Sequence, residues 1–554
     1  MKRIVSVVIL ALFVTTSLFA IDFSRVQEIS MPDSALNNGG TGNMVAGEDV
    51  DGDGKKEIYL VNDNWNDDPS ELIPRIYKLE EDGSGGWEVV WSAVAPVDAQ
   101  NTWPPLLLDD LDGDGKMELI WSVVNNFATE ANPYRVLIYE HQGGDSDLFG
   151  VDDGAGGYAP NAAWTITDQD NLNLRLFDMD VADIKGDGVK RIIFADRTGN
   201  NSGYHFGVIT VSDVPDAGDG SETWEVEATA QDFTYGGDNK WDVVVIEPSF
   251  YTFDEVVISK TTWNGSDWEY SELSPLPGGI SFRAAQTADI DGDGTKEAIT
   301  GEYYYGDDTR HLWLLQEEAD TLKRTGLFDI STESYLNGGR LTGGSHGDID
   351  ADGNLDFVFG SRYSGPPNAM IFFLSHKGGD ITSPDNWELS FVDTAYDDGL
   401  TGIWDVIDVA NMDDDEYLEV VYTSSVPYDE GVEPFFDHIS YPIIVMDPQI
   451  ANSIDKSNPL LPFAYKLEQN FPNPFNPSTT LSIHIPTAEH VNLAIYDITG
   501  KEVKVLVNSH LNAGNHSFVW DGTDMNGRKV ASGSYIYRMK AGNVVKVRNM
   551  TLLK

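Results

Sequence analysis

Apolar residues fall in short runs along this chain, rich in Val, Ile, Tyr, Phe and Trp, and clusters of Gly, Asp, Asn and Pro separate each run from the next. Such runs fit a pleated surface and its turns. No stretch carries Ala, Leu, Glu and Lys at helical spacing, so the pattern predicts strands throughout and an all-β fold. Seven strand-like segments recur around Ile76, Val136, Val208, Val256, Leu312, Ile371 and Ile443, at spacings of 60, 72, 48, 56, 59 and 72 residues. Most run through a Gly- and Asp-rich turn into a strand holding Trp or Phe, as in Trp87-Glu-Val-Val-Trp91 and Trp224-Glu-Val-Glu227.

An acidic loop stands ahead of most of these segments. It reads Asp49-Val-Asp51-Gly-Asp53-Gly-Lys55-Lys-Glu57 and continues into the apolar Ile58-Tyr-Leu-Val61. It returns as Asp110-Leu-Asp112-Gly-Asp114-Gly-Lys116-Met-Glu118 and as Asp289-Ile-Asp291-Gly-Asp293-Gly-Thr295-Lys-Glu297. Two further copies are Asp348-Ile-Asp350-Ala-Asp352-Gly-Asn354-Leu-Asp356 and the looser Asn411-Met-Asp413-Asp-Asp415-Glu-Tyr417-Leu-Glu419. One period is thus a first strand, an acidic loop and three further strands. Four strands in roughly 60 residues is the size of a propeller blade, and seven such units predict a seven-bladed β-propeller.

Two periods lack the full loop. The third reads Asp183-Ile-Lys185-Gly-Asp187-Gly-Val189-Lys-Arg191, with cations at two acidic positions, and the fourth offers Thr234, Gly236, Asp238 and Asp242. Both are read as blades whose metal site is lost. The seventh period has no closing strand before Asp447-Pro448, whereas Ile21 to Ser30 looks like a lone strand. That N-terminal strand is expected to complete the seventh blade and cover its open edge.

Asp-x-Asp-x-Asp-Gly suits a hard cation. Alternate side chains point into one concavity and Gly permits the sharp turn. The seventh residue (Lys55, Lys116, Thr295, Asn354, Tyr417) offers its backbone carbonyl, and the ninth adds a carboxylate. Every donor is oxygen, which favours Ca²⁺ over zinc or copper. Strands follow the loop and the glutamate at the twelfth position is missing, so this is not an EF-hand. Carboxylates this close repel unless a cation lies between them. About five structural calcium sites are therefore expected. In the third loop Lys185 and Arg191 supply a built-in cation, and no metal is expected there.

Charge and the chain ends set the domain limits. Lys2 and Arg3, the apolar stretch from Ile4 to Phe19, and Ala20 predict a cleaved export signal over 1–20, with no transmembrane segment remaining afterwards. The 554 residues include no cysteine, so the calcium loops are the candidate cross-links of an exported protein. The formal net charge is -56; residues 467–554 hold nine Lys/Arg and six Asp/Glu, a net of +3, which leaves -59 on the rest. That excess disfavours nucleic acid and anionic membranes as partners, and the shift marks a boundary. The propeller is read as 21–446, a linker rich in Asn, Ser and Pro as 447–466, and a second domain as 467–554. The second domain opens on Leu467-Glu-Gln-Asn-Phe471-Pro-Asn-Pro-Phe475-Asn-Pro477, which cannot be helical. Strands are predicted at Leu481 to Ile485, Val491 to Tyr496, Lys504 to Val507, Ser517 to Trp520, Ser534 to Met539 and Val544 to Leu552, a small antiparallel sandwich.

The acidic unit, with strand endings such as Phe357-Val-Phe-Gly360, resembles FG-GAP/VCBS repeats and the blades of the integrin α-subunit propeller, over about 22–446. The resemblance implies a seven-bladed propeller whose calcium ions are structural. Asn-Phe-Pro-Asn-Pro-Phe-Asn-Pro, Tyr496-Asp-Ile-Thr-Gly-Lys-Glu-Val503, Val519-Trp-Asp-Gly522, Ala531-Ser-Gly-Ser-Tyr535 and Met550-Thr-Leu-Leu-Lys554 resemble the C-terminal sorting domain of type IX secretion, with its FlgD-like immunoglobulin fold. It implies type IX secretion machinery as a partner and export to the outer-membrane surface, or beyond it, in a Gram-negative bacterium.

Catalytic chemistry is weakly marked. Gly343-Gly-Ser345-His-Gly347 fits the hydrolase elbow by spelling, but it leads into a loop and a strand rather than a helix. His141, His205, His311, His346, His376 and His438 form no local pair. Trp65 and Trp103 lie among Asn and Asp and are candidates for stacking on a sugar, whereas Trp263 and Trp268 fit blade packing. The expected function is extracellular binding or adhesion toward a glycan or protein ligand. The alternatives are a polysaccharide-acting enzyme such as a lyase, drawing on Arg75, Arg283, Arg310, Arg340 or Arg362, and a structural surface-layer component.

Overall fold

The computed structural model describes residues 21–30, 40–64, 72–100, 103–125, 133–166, 174–197, 204–233, 240, 242–253, 258–273, 284–301, 311–318, 321–329, 340–362, 371–393, 406–413, 415–423 and 442–449, and in the C-terminal unit 466–467, 470, 473, 475–485, 489–497, 501–511, 514–525, 527–541 and 544–553. These residues are all-β. The helical turns among them are two short 3-10 pieces, Ala230–Asp232 and Pro384–Asn386, and no helix is long and apolar enough to cross a membrane.

Between Asp22 and Gln449 the described residues make seven four-stranded antiparallel sheets and one two-stranded sheet, Val151–Asp152 with Tyr158–Ala159. Sheet 1 is Thr41–Glu48, Glu57–Asn62, Arg75–Glu81 and Trp87–Val94; sheet 2 is Leu106–Asp109, Glu118–Ser122, Val136–Glu140 and Ala162–Trp164. Sheet 3 is Leu176–Ala182, Arg191–Asp196, Phe206–Val211 and Trp224–Thr229; sheet 4 is Asp242–Ile246, Ser249–Phe253, Ile258–Trp263 and Trp268–Leu273. Sheet 5 is Gln286–Ala288, Glu297–Gly301, His311–Glu318 and Thr321–Asp329; sheet 6 is Arg340–Gly347, Asp356–Arg362, Ile371–His376 and Trp387–Asp393. Sheet 7 is Val406–Ala410, Glu419–Thr423, Ile443–Gln449 and, from the other end of the chain, Asp22–Ile29. The strand that the seventh period lacked is thus the N-terminal one, paired from Ile29 opposite Ile443 to Asp22 opposite Gln449. The first strand of every sheet lies against the first strands of the sheets before and after it, and that of sheet 7 lies against that of sheet 1.

The core is divided among the junctions between sheets. Tyr59, Val61 and Trp91 of sheet 1 pack with Leu119, Trp121, Leu137 and Tyr139 of sheet 2, and each of the other six junctions holds its own buried apolar cluster. This explains why second and third strands read as unbroken apolar runs: both faces are covered, as in the wholly buried Leu119-Ile-Trp. Each such side chain contributes roughly 1.5–3 kcal/mol. Fourth strands lie at an edge, and Trp87–Val94 exposes Glu88, Val89, Ser92 and Val94.

Two expectations are corrected. In sheet 4 the first and second strands are joined directly by Glu247-Pro248, so there is no counterpart of the acidic loop; Asp242 opens the first strand, and Thr234, Gly236 and Asp238 lie outside the described residues, as does Val256. The 447 boundary is also too early, because Asp447, Pro448 and Gln449 continue the third strand of sheet 7, where Asp22 to Ser24 pair with them.

In the C-terminal unit, Lys466–Leu467, Thr479–Ile485 and Gly514–Trp520 form one sheet, while Glu502–Leu511, Glu489–Asp497, Gly533–Ala541 and Val544–Leu552 form the other. The core is Leu481, Ile483, Leu493, Ile495, Tyr537 and Met550 around an aromatic centre, with Trp520 5.4 Å from Phe475 and 5.1 Å from Tyr535.

Candidate metal centres

The acidic loops join the first strand of a sheet to the second, and short carboxylate-to-backbone bonds shape them. The first Asp accepts from the N–H of the sixth residue: Gly54 to Asp49 at 3.2 Å, Gly115 to Asp110 at 3.1 Å, Gly294 to Asp289 at 3.0 Å and Gly353 to Asp348 at 3.0 Å. The third residue's carboxylate accepts from the fifth residue, as Asp51 does from Asp53, Asp291 from Asp293, Asp350 from Asp352 and Asp413 from Asp415. The fifth accepts from the seventh, so Asp53, Asp114, Asp293, Asp352 and Asp415 hold the N–H groups of Lys55, Lys116, Thr295, Asn354 and Tyr417. The backbone turns left-handed at the fourth residue; Gly52 takes this at φ 73°, and Ala351 does so in the sixth sheet at φ 54°. A side chain there costs about 1–2 kcal/mol, which is why Gly113, Gly186 and Gly292 hold the same place in the other described copies.

This folding turns the carboxylates toward one another. Ligand oxygens of Asp110, Asp112, Asp114 and Glu118 all lie within 4.8 Å of each other, as do those of Asp289, Asp291 and Glu297 and those of Asp49, Asp51 and Asp53. The ninth residue is the buried member. One Glu118 oxygen accepts from the Leu111 N–H at 2.6 Å, while Oε1, with no exposed surface, has no hydrogen-bond partner. Burial, with Asp112, Glu140 and Asp110 nearby, pushes its carboxyl up to about 9. Burial and the loop carboxylates likewise raise Glu297 to about 7, and burial with Asp350 raises Asp356 to about 7. Glu419 reaches about 8 through burial, Asp413, Asp447 and Asp415, and its Oε1 is also unpartnered. An all-oxygen set with a buried, unpaired carboxylate oxygen fits a hard divalent cation. Asn411 departs from the pattern, because its amide donates to the Asp415 carbonyl at 2.7 Å.

Cross-strand register adds carboxylates that local spacing does not reveal. Glu80 lies opposite Glu57 and Glu140 opposite Glu118, and Val420 opposite Met446 brings Glu419 beside Asp447. Burial, with Asp413 and Asp415, pushes Asp447 up to about 6. The available signal was a charge closing an apolar run, as in Ile76-Tyr-Lys-Leu-Glu80, Val136-Leu-Ile-Tyr-Glu140 and Ile443-Ile-Val-Met-Asp447. The following sheet contributes too: the Val214 N–H donates to Asp112 at 2.8 Å, and Lys116 pairs with Asp114, Glu140 and Asp216.

The third loop is built on the same frame, with Gly188 donating to Asp183 at 2.8 Å. Its ninth residue is Arg191, whose guanidinium bonds Asp187 at 2.8 Å and Glu227 at 2.8 Å and lies 3.8 Å from Asp183. The Arg191 hydrogen bonds hold Asp187 well below the usual carboxylate range. Lys185 turns away to Glu227 and the face of Trp263.

Among the other candidates, Trp65, Arg283 and Arg310 lie outside the described residues. Trp103 is only 7% exposed and packs edge-on against Phe177 at 5.9 Å, so it presents no open face to a sugar. Trp263 and Trp268 pack on each other at 5.4 Å. Ser345 stands in the first strand of sheet 6, where its hydroxyl bonds Asp408 and accepts from the Val409 N–H, both at 3.1 Å. It is a tie between sheets 6 and 7 rather than a nucleophile on an elbow.

Residues 476–544 match the FlgD Ig-like domain family. The match covers the C-terminal unit alone. No curated protein matches the chain. Among solved structures the chain is similar to PorZ, described as an essential bacterial surface component of the type-IX secretion system of Porphyromonas gingivalis, at 11% identity and TM-score 0.30, with 90% of this chain and 68% of that one covered. It is similar to a fungal alcohol oxidase of the AA5 family in complex with copper at 11% identity and TM-score 0.36, covering 93% and 100%. It is also similar to an α-L-arabinofuranosidase from Lactobacillus brevis at 10% identity and TM-score 0.32, covering 76% and 94%. Scores this low carry no argument about activity.

Proposed function

We propose that this chain is a secreted or cell-surface, calcium-binding seven-bladed β-propeller that acts in extracellular binding or adhesion and reaches its place by type IX secretion. The observation that carries the calcium reading is the buried, unpartnered Glu118 oxygen among Asp110, Asp112 and Asp114. Those four residues would hold one ion, and their equivalents in sheets 5, 6 and 7 would hold others. A divalent ion there supplies the charge that lets the carboxylates stay ionised together. The blade reading draws on the closed succession of first strands and on the core shared junction by junction. The export reading draws on the apolar N-terminal stretch and on the FlgD Ig-like match.

The charge of -59 outside 467–554 favours neutral or cationic ligands, whether glycan or protein. First strands of the sheets enclose a cavity of about 610 Å³ lined by Asn43, Glu48, Asp178, Asp180, Gln286 and Asp408 among others, a polar floor for such a ligand. The test is a glycan array and a protein-binding screen on the full chain, run with and without calcium. Calcium-dependent binding with no new sugar ends is expected. Release of unsaturated sugar ends would replace this reading with an enzyme, and growth of a regular lattice would replace it with a surface-layer component. A chain lacking 467–554 is expected to stay in the periplasm, and normal surface delivery would overturn the sorting role.

A further inference from the structure

The first acidic loop matches the second almost residue for residue, yet its interior is different. Lys78, in the third strand of sheet 1, has no exposed side-chain surface, and its ammonium lies among the loop carboxylates. Nζ is 2.9 Å from Asp51, 2.5 Å from Glu57 and 3.8 Å from Glu80. It is also 3.0 Å from Asp147, which comes from the connection between the third and fourth strands of sheet 2. The other Glu57 oxygen accepts from the Val50 N–H at 2.9 Å and from the Tyr59 hydroxyl at 2.6 Å. Glu57 Oε1 accepts no hydrogen bond, as is true of Glu118 Oε1, but it is ion-paired with the Lys78 ammonium at 2.5 Å, and among the described residues no such pair reaches Glu118.

No other sheet with a loop of this frame has a cationic residue at the register position of Lys78. Lys78 sits opposite Tyr59, two residues beyond the ninth carboxylate. The same register position holds Ile138 in sheet 2, Val208 in sheet 3, Leu314 in sheet 5, Phe373 in sheet 6 and Val445 in sheet 7.

We infer that Lys78 is a tethered cation that takes the place of the divalent ion in the first loop, and that it joins sheets 1 and 2 without calcium. The inference rests on the calcium reading of the other loops. It makes the junction of sheets 1 and 2 a calcium-independent corner of the ring, so removal of calcium loosens the loops of sheets 2, 5, 6 and 7 and spares 49–57. An ammonium fits where a divalent ion would, because it is cationic and offers three donors to surrounding oxygens. It does not supply the second charge, and Asp147 and Glu80 share what it has.

Hydrogen exchange of the full wild-type chain in calcium and in chelator tests this. Exchange over 110–118 and 411–419 is expected to quicken about tenfold in chelator while 49–57 stays unchanged. In Lys78→Met, which keeps the length of the side chain and removes its charge, 49–57 is expected to become calcium-responsive. A wild-type first loop that answers to calcium as strongly as the second would overturn the inference, whether or not the variant folds. If no loop responds, the calcium reading itself fails and this inference falls with it; if all respond alike, the calcium reading stands and only this inference fails.

Discussion

The loops of sheets 2 and 3 share one frame and carry opposite chemistry at its closing position. Asp110 and Asp183 each accept from the N–H of the sixth residue, at 3.1 and 2.8 Å, and Asp114 and Asp187 each hold the N–H of the seventh. At the ninth position one loop has Glu118, buried with an unpaired oxygen, and the other has Arg191, with its guanidinium on Asp187 and Glu227. The turn therefore forms from its own Asp-to-backbone bonds whichever residue closes it. On the calcium reading, the closing residue decides between these two loops whether the positive charge comes from the chain or from solvent.

The sharpest way to break this comparison is to remove divalent ions altogether. At free calcium ten times the dissociation constant each site adds roughly 1.4 kcal/mol, so the four loops of sheets 2, 5, 6 and 7 together add about 6 kcal/mol. Excess chelator is expected to lower the melting temperature by about 10 °C; an unchanged melting curve would mean that the loops are solvated turns. Next in size is Arg191→Glu, which strips Asp187 of its cation, leaves Glu227 with Lys185 alone and converts the third loop to the type of the second. A cost of about 3 kcal/mol is expected in chelator. Calcium should restore some of it, which is read as a calcium-dependent rise in melting temperature larger than that of wild type.

A smaller effect with a change of sign is expected for Glu118→Gln. With calcium present the variant loses about one site, roughly 1.4 kcal/mol. In chelator it is expected to be more stable than wild type at neutral pH, since burial and neighbouring carboxylates penalise only the charged form. Destabilisation in both conditions would show that Glu118 is simply a packed side chain.

An effect of similar size is expected in the central cavity, where a half-buried carboxyl lies with no cation loop around it. Burial pushes Asp180 up to about 6, against the Val181 N–H that lowers it. Its folded value is above its unfolded one, so the folded state holds the extra proton, and stability is lost as pH climbs from about 4 through 6. Wild type should lose about 2 kcal/mol relative to Asp180→Asn across that window. Parallel pH profiles of the two proteins would contradict this.

Much of the fold was legible because the two periodicities reinforce each other. The apolar runs at Ile76, Val136, Val208, Leu312, Ile371 and Ile443 are all third strands, and the loops at Asp49, Asp110, Asp183, Asp289, Asp348 and Asn411 all follow first strands. The unpaired strand at Ile21 to Ser30 was visible because a sheet edge needs covering. The fourth loop was misread because Gly and Asp before residue 242 mimic the composition of the others, while the real connection is Glu247-Pro248. Lys78, Glu80, Glu140 and Asp447 were missed for a different reason. They meet the loops across a strand pair, and register rather than spacing puts them there. The surroundings of Trp103 are polar along the chain and apolar in space, since Phe177 of sheet 3 covers it.

Crystals of the full chain grown in plentiful calcium, with anomalous scattering recorded to locate the ion, test the central claim most directly. The account expects a strong peak between Asp112 and the bare oxygen of Glu118 and none beside Arg191. Density there accounted for by water alone, or equal peaks in the two loops, would contradict it.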